Sequence, residues 1–362
     1  MKNAATNRQI FFFLVLTLTT YTIINIPKIM AQHAGRAAWP PILLASVIFA
    51  LFAVIIVRLG IKFPGKMLFD YSQEIVGKFL AYVLSIYFVL YFFTVSIFLN
   101  IQLASVLKAE FFPKTPTWAT LVAGMAVFGC IAYKGVNSIA RFFEIIGPVF
   151  LFTAISVHLI MMTQSNLSSI LPLFQPSQIL KYVTATKETI LSFLGIELLM
   201  VIPLASENSR KTTRTVFFSL LFIGLFYMLV VETSIAILGY NDIQNYNYAV
   251  IEAIKLIDNP VLERFDILYL TVGFAGLIAG VSAVYLGLVE YVCKIFPKMN
   301  RKIVVLLCDV LIVVVSLIGQ AAKDSETFFE GVIPVAGLVS AFLIPALLLL
   351  IAKVRHLGQK AQ

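Results

Sequence analysis

Ten apolar stretches follow one another along this 362-residue chain, at about 9–31, 40–57, 79–107, 116–133, 143–163, 184–204, 215–239, 262–291, 302–318 and 329–352. A helix rises ~1.5 Å per residue, so ~20 apolar residues cross the hydrocarbon core of a bilayer. The pattern predicts an all-α polytopic membrane protein of ten transmembrane helices in a single membrane domain covering 1–362. Composition agrees: 60% of the residues are hydrophobic and 12% charged, against about a quarter charged in soluble domains. The third and eighth stretches are longer than a bilayer needs and are expected to tilt or project.

The formal net charge of +9 is not a nucleic-acid signal in such a chain, because Lys and Arg gather in cytosolic loops and set orientation. With the N-terminus inside, eighteen of the 27 Lys and Arg fall in inside segments, so both termini are expected in the cytosol. The start, "MKNAATNRQIFFF", passes from a basic region to a long apolar run with no small-residue cleavage site, which predicts a retained first span. Cys130, Cys293 and Cys308 are scattered, as are His33, His158 and His356, and they form neither a disulfide framework nor a metal set. There is no nucleotide-binding loop and no metalloprotease motif. The expectation is a protein that is not an enzyme and takes no cofactor or metal.

The chain midpoint falls in "TQSNLSSILPLFQPSQILK", its least helical stretch. Five spans precede a linker of about 164–183 and five follow it. An odd number per half makes the second half enter the membrane from the opposite side, the condition for an inverted repeat of about 9–163 and 184–352. Such a repeat requires its two first helices, spans one and six, to be broken near the midplane. Span one contains Thr17, Thr19, Thr20, Tyr21, Thr22, Asn25 and Pro27. Pro27 lacks an amide donor and disfavours helix at Ile26; the hydroxyls and the Asn25 amide are expected to satisfy the freed backbone groups. In span six, "SFLGIELLMVIPLASENSR" (Ser192–Arg210) places Gly195 and Glu197 at the corresponding point. A charge facing lipid costs at least ~2.5 kcal/mol at the bilayer centre, so Glu197 is expected to face a protein-lined cavity. It either braces the break by hydrogen bonding or serves as a proton or ligand site.

Three stretches resemble the B subunits of bacterial spore germinant receptors: "SFLGIE" in span six, "NYAVIEAIKLIDNPVLERFDILYL" from Asn247 to Leu270, and "NIPKIMAQHAGRAAW" from Asn25 to Trp39. That family belongs to the amino acid–polyamine–organocation transporter superfamily, so the resemblance implies the five-plus-five fold already argued. It further implies a location in the inner membrane of the bacterial endospore, a complex with an A-type subunit and a C-type lipoprotein subunit, and binding of a small nutrient, often an amino acid, that triggers germination. The implied site lies between the breaks, at Thr20, Tyr21, Thr22, Val95, Leu194, Gly195 and Gly280, with Glu197 and Asn25 beside it. Family members usually carry glycines where Thr20, Tyr21 and Thr22 stand, which implies a smaller pocket or one lined by hydroxyls.

Other features have plainer readings. Asn100 and Gln102 suit interhelical hydrogen bonds. Gly273, Gly276, Gly280 and Gly287 lie at helical spacing and suit close helix packing, with Gly280 also placed to line a cavity. Asn259-Pro260 before Glu263, Arg264 and Asp266 reads as a capped, charged helix start. Glu144, after Arg141, reads as the start of the fifth span. The main rival function is a proton-coupled secondary amino-acid transporter using Glu197; neighbouring genes for A-type and C-type subunits would favour the receptor. A cation channel lined by carboxylate rings finds few acids in the cavity helices.

Overall fold

The computed structural model describes residues 5–204, 209–257, 265–322 and 325–358, with the backbone alone described at Tyr21, Leu167, Phe265, Asp266, Ser325 and Glu326. Among these residues there are helices and turns and no strand. The α-helices in chain order are α1 (Asn7–Thr22), α2 (Ile26–Ala34), α3 (Trp39–Lys62), α4 (Leu68–Val76), α5 (Lys78–Glu110), α6 (Thr117–Tyr133), α7 (Val136–Gln164), α8 (Ile179–Ala185), α9 (Ile190–Phe193), α10 (Ser209–Leu238), α11 (Ala249–Lys255), α12 (Phe265–Ile295), α13 (Arg301–Ala321), α14 (Ser325–Leu338) and α15 (Ile344–Val354).

Seven helical runs are long and apolar enough to cross a membrane: α3, α5, α7, α10, α12 from Ile267, α13, and the run Thr327–Val354 through α14 and α15. The shorter α6 is also apolar. The predicted spans 9–31 and 184–204 are each divided into shorter pieces. The outward faces carry large apolar side chains: Ile145 is 69% and Phe152 76% exposed on α7, and Val310 60% and Ile318 65% on α13. An apolar surface of that extent suits lipid and not water. The chain is a multi-pass membrane protein.

Local chemistry accounts for the helix ends. Thr6 and Gln9 form a reciprocal capping box at α1, with Gln9 N–H donating to Thr6 Oγ1 at 3.2 Å and Thr6 N–H to Gln9 Oε1 at 3.0 Å. Gly135 (φ +82°) ends the loop after α6 and starts α7 at Val136. Glu144 therefore lies two turns inside α7 and does not open it. There it meets Arg8 at 3.4 Å and accepts from Gln9 Nε2 at 3.1 Å, tying α7 to α1. The charged start expected at Asn259, Pro260, Glu263 and Arg264 lies outside the described residues, as does the Asp266 side chain.

Packing places α1 and α12 inside the bundle. α12 lies against α1, α5, α6 and α7; α1 also touches α7, α9 and α10; and α3 runs along α10. Lipid supplies no hydrophobic force between helices, so close backbone approach matters. A Cβ added at Gly224 of α10 would stand 2.6 Å from Ser46 Oγ of α3, and one at Gly276 of α12 would stand 2.8 Å from the Phe150 ring. Both are notches filled by a neighbouring helix.

Candidate functional site

α1 stops at Thr22, residues 23–25 form a turn, and α2 resumes at Ile26 with Pro27 in its first turn. Proline is tolerated there, where its missing N–H would have no intrahelical partner. The hydroxyls do not serve the interruption as expected. Thr19 Oγ1 donates to the Val15 carbonyl and Thr20 Oγ1 to the Leu16 carbonyl, both at 2.8 Å, within their own helix. Serving a carbonyl four residues back is the nearest option for a helical threonine. Asn25 makes no side-chain cap, and its Oδ1 is buried without a hydrogen-bond partner.

The second interruption is built from short pieces. α8 gives way to a 3₁₀ turn (Thr186–Thr189), then the single turn of α9, then Leu194 in extended backbone (φ −69°, ψ 153°) and Gly195 at φ +111°. Only glycine adopts that φ at little cost. A second 3₁₀ turn, Ile196–Met200, follows. Thr186 Oγ1 donates to the Tyr182 carbonyl at 3.1 Å and Thr189 Oγ1 to the Thr186 carbonyl at 2.7 Å. The left-handed Gly195 takes the segment out of regular helix, while the two threonine hydroxyls serve carbonyls of its short turns.

Glu197 is fully buried. Tyr91 Oη donates to its Oε1 at 2.7 Å and the Gly195 N–H donates to its Oε2 at 2.9 Å. One carboxyl group therefore satisfies an amide freed by the unwound backbone and a hydroxyl from α5. Tyr87, one turn before Tyr91, donates to the Ala336 carbonyl at 2.7 Å and accepts from Ser340 Oγ at 3.2 Å. Tyr87, Tyr91 and the buried Val95 lie four residues apart on one face of α5; neither tyrosine was singled out in the sequence, although their spacing from Val95 places them on its face.

The two interruptions are joined directly. Thr22 Oγ1 donates to Ser192 Oγ. Tyr227 Oη lies 2.8 Å from the Leu18 carbonyl and 2.9 Å from the Ser192 carbonyl, so one buried proton is shared between α1 and α9. Nothing in its sequence surroundings marked Tyr227, because its role depends on two segments more than thirty residues away. Two half-buried acids also escaped the sequence reading. Glu232 on α10 faces the start of α3 near Ala38 and Trp39, where a helix dipole favours negative charge, and neither of its carboxylate oxygens makes a hydrogen bond there. Asp309 on α13 sits at Gly129 of α6, where an added Cβ would meet its carboxylate oxygens.

Thr20, Thr22 and Asn25 line a cavity of about 40 Å³, together with Gln102, Tyr248 and Val281. A second cavity, of about 570 Å³, shares Asn25, Gln102 and Tyr248 with the first and adds Lys28, Asn247 and Glu330. The larger space is a polar vestibule and the smaller one lies behind it, at the turn between α1 and α2. Val95, Leu194 and Gly195 are buried and line neither cavity. Gly280 takes the Thr20 side chain: a Cβ there would collide with Thr20 Oγ1 and stand 2.5 Å from the Leu16 carbonyl oxygen. Gln102 was expected to bond between helices and instead lines both spaces. Asn100 Nδ2 reaches Ser316 Oγ at 3.5 Å, a weak contact. Among the described residues no group of three or more His, Cys, Asp or Glu could hold a metal ion.

A family model described as Spore germination protein matches residues 5–324. The chain belongs to the spore germination protein family. It is 22% identical over 359 residues to Spore germination protein YndE of Bacillus subtilis (strain 168), covering 98% of each chain. It is 22% identical over 358 residues to Spore germination protein GerLB of Bacillus cereus, covering 97% of this chain and 94% of that one. Among solved structures it resembles an Eremococcus coleocola manganese transporter (TM-score 0.66, 14% identity, 95% of this chain and 78% of that one). It also resembles MhsT in complex with L-phenylalanine (TM-score 0.58, 12% identity, 95% and 98%). At these identities the structural likeness is one of fold: this member of the spore germination family has the helical arrangement of membrane transporters.

Proposed function

We propose that this chain is the nutrient-sensing membrane subunit of a spore germinant receptor. It would bind a small germinant such as an amino acid between spans one and six, and work in the endospore inner membrane with A-type and C-type lipoprotein subunits. The reading includes ten spans in two inverted repeats of about 9–163 and 184–352, interruptions in spans one and six, and both termini in the cytosol. The observation that carries it is that a polar vestibule and an inner cavity share Asn25, Gln102 and Tyr248, with Thr20 and Thr22 on the wall of the inner one. The inner space is far smaller than the ~300 Å³ or more of ordinary ligand sites. The ligand therefore enters from the vestibule side and is admitted by movement at the span-one turn, with Gly195 and Glu197 across the Thr22–Ser192 bond. A neighbour in fold that holds L-phenylalanine supports a ligand of this size.

Spores of a strain deleted for this gene test the reading across a nutrient panel. The expected result is loss of germination with one nutrient or one chemical class, restored by complementation. Normal germination with every nutrient overturns it.

A proton-coupled amino-acid transporter is the second reading, favoured by one feature: a fully buried carboxyl at an interruption, held by a hydroxyl and an amide. Uptake of a labelled amino acid into proteoliposomes under an imposed proton gradient, lost in Glu197→Gln, would move the assignment to it.

A further inference from the structure

Five cationic side chains converge on one cavity at the end of the bundle that carries the start of α1. Arg58 and Lys62 come from the end of α3, Arg210 and Arg214 from the start of α10, and Lys353 from the end of α15; the cavity measures about 650 Å³. The hydrogen bond from Thr212 Oγ1 to Asn7 Oδ1, 3.0 Å, fixes α10 and α1 at the same end. Its walls include Ile61 and Leu349. On α15 the apolar surface continues outward through Leu350, 60% exposed, and Val354, 70% exposed. Among the described residues none of the five cations is in an ion pair with an acid.

Orientation by positive charge requires only that Lys and Arg lie near span ends. It does not require three sequence-distant helix ends to gather their cations around one concavity. Arg58, Arg210, Arg214 and Lys353 are exposed and Lys62 is half-buried, and an anion seated among them would lower their mutual repulsion. The apolar wall and its exposed continuation identify the anion as the head of an amphiphile. A free phosphate would satisfy the cations and leave the wall unused; a phospholipid fills both, with its phosphate between α3 and α10 and its acyl chains along α15. We propose that this cleft binds an anionic phospholipid, recognised through its phosphate and negative headgroup, and that the bound lipid ties α3, α10 and α15 together. Basic clefts between spans at this depth suit such headgroups.

The test uses the full chain in equimolar dioleoyl phosphatidylglycerol and dioleoyl phosphatidylcholine nanodiscs, with lipid retention read by native mass spectrometry after detergent extraction. Wild type is expected to retain phosphatidylglycerol selectively. The double variant Arg58→Gln, Arg214→Gln is expected to bind it about thirtyfold more weakly, the effect of two near-surface cations on an anionic headgroup. A double variant of cations outside the cleft, Lys134→Gln with Lys298→Gln, should keep the wild-type ratio. The single change Lys353→Gln, on an exposed end residue, gives the same readout with a smaller loss if the double variant misfolds. Equal retention of the two lipids by wild type, or equal losses in the cleft and control variants, overturns the proposal. So does inorganic phosphate raising the melting temperature as much as phosphatidylglycerol does, which would assign the cleft to a free anion.

Discussion

Thr20 fills the space that Gly280 leaves open, and the two residues lock α1 to α12. A Cβ at 280 would collide with Thr20 Oγ1 and stand 2.7 Å from Thr20 Cβ. Gly280→Ala is therefore expected to destabilise the protein by about 1–3 kcal/mol, as overpacking does. Adding Thr20→Ala should recover part of the loss but not all, because the Leu16 carbonyl oxygen still stands 2.5 Å from the new methyl. Thermal unfolding of the single and double variants in detergent gives the coupling, expected within about 0.5–3 kcal/mol. Strict additivity would show that the two side chains do not share this space.

Glu197 separates shape from ionisation. Glu197→Gln keeps an oxygen for the Gly195 N–H and can turn its amide toward Tyr91, whose hydroxyl also accepts. The fold should survive with a loss of about 1 kcal/mol. Glu197→Leu leaves the Gly195 amide without its acceptor and removes the Tyr91 bond to Oε1, at about 1–3 kcal/mol for the buried amide, and should lower protein levels. If Glu197 only braces the turn, germination in the Gln variant is near normal; if its proton matters, germination fails at normal protein level. Two variants as stable and active as wild type would leave Glu197 without a role.

Tyr227 joins α1 to α9 through one hydroxyl. Tyr227→Phe removes that proton from between the Leu18 and Ser192 carbonyls and should cost about 1–3 kcal/mol. Its hydrogen-exchange signature is specific: protection should fall around Leu18 and Ser192 together, ahead of α3 or α13. A uniform loss across the bundle would mean that Tyr227 acts as general packing.

Gln102 and Tyr248 line both the vestibule and the inner cavity. Gln102→Leu keeps the bulk at this position and removes the amide, with stability within about 0.5 kcal/mol of wild type. The nutrient dose–response curve is expected to shift several-fold at unchanged protein level. Thr20→Gly should widen the inner wall and Thr20→Leu, which also crowds the Gly280 notch, should fill it, moving sensitivity in opposite directions when the variants are compared at matched protein level. Curves that coincide with wild type in all three variants would place the ligand elsewhere.

The all-helical membrane class, the long apolar helices and the apolar surface were legible in the sequence, as were the departures from regular helix near Pro27 and Gly195, because each rests on local chemistry. Hydrocarbon solvent demands long apolar runs, Pro27 favours a helix start where it stands, and Gly195 permits a backbone angle that other residues avoid. The family resemblance was legible through stretches such as "SFLGIE" and "NIPKIMAQHAGRAAW". The partners were not. Thr20 was read as pocket wall and proves also to be the filling of a glycine notch on α12. Gln102 was read as a helix–helix contact and lines the route inward. Tyr91, Tyr227 and the five cations around one cleft acquire their meaning from helices far away in the chain. Hydropathy and backbone preference act over a few residues and are written in order along the chain. Which hydroxyl meets which carbonyl, and where like charges gather, depends on how helices rotate and slide against one another, and only the packed bundle decides that.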